Sequence, residues 1–164
     1  INLGVCAFFQ QHWDDARQAW ERAAALAPGF ALVRANLGDA LLWSGDAVGA
    51  QAAYLAALEL AEAEIANGVR RHDVLETRAR CLAHLGRGPE AVGAINEALA
   101  EHPDHPQTRY VAALVFARIG DATSALLWTQ KARELHVPPV WFTGPEFASL
   151  RTDPRFQALL TDAR

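Results

Sequence analysis

The stretch NLGDALLWSGD, residues 36–46, decides how this chain folds. Its glycines, Gly38 and Gly45, first suggest a loop that cradles phosphate. Such a loop needs a Gly-rich run closed by Lys-Ser or Lys-Thr, and the sequence has none. Leu37, Leu41 and Leu42 instead fall at helical spacing. Gly45 suits the left-handed residue that ends a helix, and Asp46 can cap the next one. The stretch therefore reads as helix, tight turn, helix. Gly38 then sits in mid-helix, where glycine costs about 1 kcal/mol relative to alanine. Close approach of a neighbouring helix is the usual compensation.

Working outward, the same letters return at a fixed interval. Asn2-Leu3-Gly4 recurs 34 residues later as Asn36-Leu37-Gly38, and at that shift Ala16 becomes Ala50, Trp20 becomes Tyr54 and Ala23 becomes Ala57. A second pair keeps the interval: Gly86 and Gly120, Ala91 and Ala125, Ala98 and Ala132. The two pairs are joined by a step of 41, from Ala50 to Ala91. The spacing predicts four helix-turn-helix repeats, at about 1–30, 31–68, 69–105 and 106–138, with a cap over 139–164, all in a single domain. Units of this kind cannot bury an apolar face alone and stack into a solenoid.

These residues resemble the tetratricopeptide repeat. Leu3-Gly4, Ala16, Trp20, Ala23 and Pro28 carry the likeness in repeat one, and Leu37-Gly38, Ala50, Tyr54 and Ala57 in repeat two. Repeats three and four keep the paired alanines, and repeat three keeps Pro103. They depart where Arg78-Ala79 and Ala112-Ala113 stand for Leu-Gly and Thr129 for the aromatic. The resemblance implies an all-α fold, a right-handed α-α superhelix of four repeats with C-terminal capping helices. It also implies a non-catalytic protein-interaction role.

Two places break the pattern. Seven extra residues between repeats two and three, close to two helical turns, predict a longer second helix in repeat two, ending near Asn67-Gly68. A longer helix opening repeat three is a further expectation, and 62–73 could then project as a ledge. The ending, from Val137 onward, breaks the repeat at Pro138-Pro139 and Gly144-Pro145. Asp153-Pro154 then opens a helix with Phe156, Leu159 and Leu160 on one face, suited to cap the last repeat. Its pattern, Phe147-x-x-Leu150-Arg151 and Asp153-Pro154-Arg155-Phe156, resembles the tail of tetratricopeptide regions in bacterial multidomain signalling proteins such as Ser/Thr kinases and nucleotide cyclases. The absence of Met and the opening INLG suggest a piece of a longer protein.

A formal charge of −4 argues against a nucleic-acid partner, which would need a phosphate-neutralising basic stripe. Arg70-Arg71-His72, the compact basic cluster, reads as a solvated helix end. Uncharged runs such as 47–58 are too short to insert in a membrane. A cytoplasmic setting is favoured, with a periplasmic one open to an anchored parent. Cys6 and Cys81, in the first helices of repeats one and three with a whole repeat between them, read as small buried residues, not as a disulfide. Asp14-Asp15 suit the start of a helix. His102 and His105, in HPDH, have metal-like spacing but no Cys or acidic cluster in phase with them, so no metal and no cofactor is expected. No nucleophile-base set shares a face, and no enzyme activity is expected.

Function is then a matter of surface. The resemblance places the first helices of successive repeats around a concave groove, lined by Asn2, Phe9, Asn36, Asp39, Trp43, Thr77, Arg80, His84, Tyr110, Leu114 and Arg118. Interfaces draw their energy from Trp, Tyr and Arg, which singles out Trp43, Arg80 and Tyr110. The expected partner is a protein or peptide, with self-association through the N-terminal repeat edge as a corollary. The alternative is a ligand sensor enclosing a small molecule or short signalling peptide, for which a deep pocket would speak.

Overall fold

A computed structural model describes residues 2–161. Eight helices follow in antiparallel pairs: α1 (Asn2–Phe9) with α2 (Trp13–Leu26), α3 (Ala31–Trp43) with α4 (Ala47–Ala66), α5 (His72–His84) with α6 (Gly88–Glu101), and α7 (Pro106–Arg118) with α8 (Ala122–Glu134). Two 3-10 turns, Pro139–Thr143 and Pro145–Leu150, lead to α9 (Pro154–Thr161). No strand occurs among the described residues. Within the superhelix, α3, α5 and α7 pack side by side as the inner layer, while α4, α6 and α8 form the outer one.

The tight turns explain the register. Each ends its helix with a residue at positive φ: Gly45 at 94°, Gly86 at 75° and Gly120 at 84°. The following amide donates back five residues, Asp46 to the Leu41 carbonyl, Arg87 to Leu82 and Asp121 to Phe116, each at 2.9 Å. In repeat one Gln11 takes this left-handed place, with φ 61°. A side chain there is strained relative to glycine, so the glycine signal that marks the other turns is missing from the first. Asp46 and Asp121 cap α4 and α8 by accepting from the amides of Gly49 and Ser124.

Gly38 is a packing glycine, as its mid-helix position requires. A Cβ there would lie 2.6 Å from Tyr54 Cε1, and one at Gly4 would lie 2.5 Å from Trp20 Cε2. Where the equivalent outer residue is smaller, the inner one gains a methyl: Ala79 with Ile95, and Ala113 with Thr129, all fully buried. The departures from Leu-Gly and from the aromatic thus compensate one another across the same helix pair.

The extra residues lengthen α4 to 20 residues, ending at Ala66 with Asn67 as its cap. The opening helix of repeat three is not lengthened: α5 has 13 residues, like α3 and α7. The basic cluster is the partly exposed start of α5, as expected, but its charges are paired. Arg70 pairs with Glu97 at 2.6 Å and Glu101 at 2.9 Å, and Arg71 pairs with Asp73 at 3.0 Å, tying the connection to α6 and to its own helix. Cys81 is buried, but Cys6 is exposed because α1 turns it away from α2; both are free thiols. No helix among the described residues is long and apolar enough to cross a membrane.

The tail does two things. Helix α9 packs on α8, covering the last repeat. The 3-10 segments before it turn inward, laying the second against α7 and the first against α1. Phe142 and Phe147 of this segment meet edge-on and Phe147 stacks on Phe156, with centroids 5.4 and 5.8 Å apart.

Candidate functional site

The inward tail makes the inner face of the solenoid a cavity. Trp141 stacks on Phe9 across the opening, centroids 6.1 Å apart, and meets Tyr110 edge-on at 5.1 Å. Beneath lies a cavity of about 440 Å³ bounded by α1, α3, α5, α7 and the tail. Its walls are aromatic at Phe8, Phe9, Trp20, Tyr110 and Trp141, and charged at Asp39, Asp73, Glu76, Glu146 and Arg80. Four carboxylates thus face one guanidinium.

A polar network holds one end. Tyr54 Oη donates to Asp39 Oδ1 at 2.7 Å, and Arg80 donates to Asp39 Oδ2 at 3.1 Å and to Asn36 Oδ1 at 2.8 Å. Burial opposes the charge on Arg80, but Asp39, joined by Cys81, Tyr54 and Tyr110, outweighs it and raises the guanidinium pKa. Glu146, carried in by the tail, accepts from Trp43 Nε1 at 3.1 Å. Burial and then the charge of Asp39 push its carboxyl up to about 7. His84 stacks on Tyr54 at 4.4 Å, and burial pushes its pKa down to about 4. At the other end, Glu76 accepts from Thr108 Oγ1 at 2.6 Å with His72 and His105 beside it. Burial raises Glu76 to about 7 against the opposing Thr108 hydrogen bond.

Of the residues expected in the groove, Phe9, Asn36, Asp39, Arg80, Tyr110 and Leu114 line the cavity. The Asn2 side chain lies outside the described residues. Trp43 does not line it; its indole anchors the tail through Glu146. Thr77 is a correction: at 1% exposure it belongs to the core. The inward stripe of α5 runs His72, Asp73, Glu76 and Arg80, and Thr77 is rotated about 100° away. His84 and Arg118 border a separate depression over Tyr54, at the C-terminal ends of α5 and α7.

Glu76 and His72 could have been found by stepping back in fours from Arg80, and Leu32 likewise from Asn36. Trp141 and Glu146 could not, because no periodicity says where a tail lands. The premise that HPDH has no acidic group in phase also needs correcting. The stacking of repeat four on repeat three sets His105 beside Glu76 and His72, whereas His102 turns away and bonds the Arg70 carbonyl at 2.7 Å.

The tetratricopeptide repeat profile matches residues 2–65, 47–106 and 77–136, overlapping segments that together span α1 to α8. No curated protein matches the sequence.

Proposed function

The chain belongs to the tetratricopeptide repeat family, and from that premise we propose that it is a non-catalytic interaction module binding a short peptide segment in the cavity beneath Trp141. Repeats of this family generally mediate protein–protein interaction. The supporting observation is the cavity wall itself, apolar and aromatic in the middle with Asp39 and Glu146 against Arg80 at one end. Such a wall suits a bulky apolar side chain next to a Lys or Arg, whose charge gains from both the carboxylates and the aromatic faces. A long peptide cannot run the length of the groove, since residues 139–150 already lie on it. The likeness of the tail to those of bacterial signalling proteins supports a place for the module in such a parent, as its non-catalytic part.

Selection from a random peptide library tests the reading. The wild type is expected to enrich segments pairing a basic with a bulky apolar residue. A Leu32→Trp variant, which fills the cavity from a half-buried position, is expected to enrich none at matched melting temperature. Equal enrichment by both, or by neither, overturns it. Enclosure by the tail favours a second reading, a sensor for a small cationic molecule, and a ligand that raises the melting temperature of the wild type but not of Leu32→Trp would establish it. Exposed Leu3 and Cys6 on α1 support self-association through that edge; a molecular mass independent of concentration would remove it.

A further inference from the structure

At the far end of the cavity, three side chains meet that the repeat does not require. His72 and Glu76 stand one turn apart on α5, and His105 is the N-cap residue of α7. One potential ligand atom from each lies within 4.8 Å of the other two. His72 Nδ1 is 3.4 Å from Glu76 Oε1, and His105 Nδ1 is 3.6 Å from the same oxygen. The imidazoles stack with centroids 3.8 Å apart. His72 Nδ1 is itself shielded from solvent and has no hydrogen-bond partner.

We propose that His72, Glu76 and His105 form a zinc site with an open coordination position facing the cavity. A tetrahedral Zn²⁺ at about 2.0–2.1 Å from each donor holds neighbouring donors about 3.3 Å apart. The two measured separations lie close to that edge length. Two imidazoles and one carboxylate are also a donor set that zinc accepts while leaving a fourth place for water or an incoming ligand.

The surroundings support the site from outside. Thr108 Oγ1 fixes Glu76 at 2.6 Å, in the way that second-layer hydrogen bonds orient metal ligands. Pro106 at the start of α7 restrains the backbone next to His105. His102 donates Nε2–H to the Arg70 carbonyl at 2.7 Å and meets His72 edge-on at 6.0 Å, so it buttresses the ring without ligating. The side chains of His72 and His105 are 41% and 36% exposed, which gives an ion a way in, while Glu76, at 6%, is a buried carboxyl whose ionised form an ion would stabilise. Binding both Nδ1 atoms to one ion requires the stacked rings to turn about their side-chain torsions, for which their partial exposure leaves room.

A second triad, Asp39, His84 and Glu146, shows the contrast. There the Arg80 guanidinium stands beside the triad and donates to Asp39 at 3.1 Å, and its fixed positive charge opposes a metal ion. At His72–Glu76–His105 the open position would offer a bound peptide a coordination point for a carboxylate, imidazole or thiolate. The metal site stands on its own residues, and its test is independent of peptide binding.

The 164-residue chain, freed of metal by chelator, is titrated with Zn²⁺ in competition with a chromogenic chelator, and with Co²⁺ followed by visible absorbance. One equivalent should bind, with the intense bands of four- or five-coordinate Co²⁺ and a raised melting temperature. Glu76→Gln, His105→Ala and the exposed-ligand deletion His72→Ala should each weaken binding at least as much as the roughly 10–100-fold lost when second-layer partners are removed. Circular dichroism checks that each is folded. Cys6→Ser and His12→Ala, at other potential donors, should leave affinity unchanged. Affinity retained in all three ligand variants, affinity lost instead in Cys6→Ser or His12→Ala, or no stoichiometric binding by the wild type would each overturn the proposal.

Discussion

Gly38→Ala puts the packing argument at risk with one methyl group. In an exposed helix the change stabilises by about 1 kcal/mol. Here the new Cβ would sit 2.6, 2.7 and 3.0 Å from Cε1, Cδ1 and Cζ of Tyr54, distances at which something must shift. Tyr54 is poorly able to give way: it is 2% exposed, its hydroxyl is bonded to Asp39 and its face is covered by His84. Overpacking of this kind costs about 1–3 kcal/mol. Dragging the hydroxyl from a charged acceptor forfeits part of a further 1.5–3 kcal/mol or so. The helix gain offsets only about 1 kcal/mol, leaving a net loss of about 1–3 kcal/mol. For a chain of this size that lowers the melting temperature by roughly 2–12 °C. Gly93→Ala is the internal control, because Gly93 is exposed in α6 with nothing within 4 Å of an added Cβ. It should raise the melting temperature by roughly 2–4 °C. Calorimetry or circular dichroism on both variants decides. A Gly38→Ala chain as stable as the wild type, or more so, would refute the assigned contact and the helix register built on it.

Arg80→Met strands the buried Asp39 carboxylate and should cost on the order of 3–5 kcal/mol in urea unfolding; a loss under about 1 kcal/mol, typical of surface pairs, would mean the network is solvated. Trp141→Ala removes the contact to Phe9, and limited proteolysis should then cut within residues 139–150 faster than in the wild type; unchanged cleavage would mean the tail docks without it. Glu146 has a pKa raised from 4.5 to about 7 in the folded chain. Between those values the folded form keeps a proton that the unfolded form releases, so its contribution to stability is full below about pH 4.5 and is lost as pH rises through about 7. Glu146→Gln should therefore gain on the wild type as pH rises through this window. Glu76 slopes the same way and His84 the opposite, but both cancel in the difference between the two chains. A difference flat with pH counts against the buried placement of Glu146.

The solenoid was legible because its signal is redundant: Ala16, Ala50, Ala91 and Ala125 recur in phase, and all are buried. About a third of the cavity lining lies in the same phase, at Phe9, Asn36, Asp39, Arg80, Tyr110 and Leu114. Thr77 went astray through a one-residue shift of register on α5, which on a helix is a change of face. The remainder was hidden for a different reason. Glu146 is a carboxylate, and local sequence gives no sign that it will be buried beside Asp39. Its placement depends on where a non-repeating segment comes to rest. His105 met His72 and Glu76 only through the stacking of one repeat on the next, which a search along the chain for ligand spacing does not see.

The contact between Phe9 and Trp141 changes what kind of object the solenoid is. Stacked repeats touch only their neighbours, and such arrays behave as springs that fray from either end. Here α1 is fastened to the first 3-10 turn of the tail, so the spring carries a clasp. Pitch cannot change without opening it, and fraying of the first repeat strips support from the tail as well. A load applied across the two ends falls first on that aromatic pair, before any repeat separates from the next. The interior of the coil therefore opens by release of the clasp, as a discrete event, and not by gradual extension.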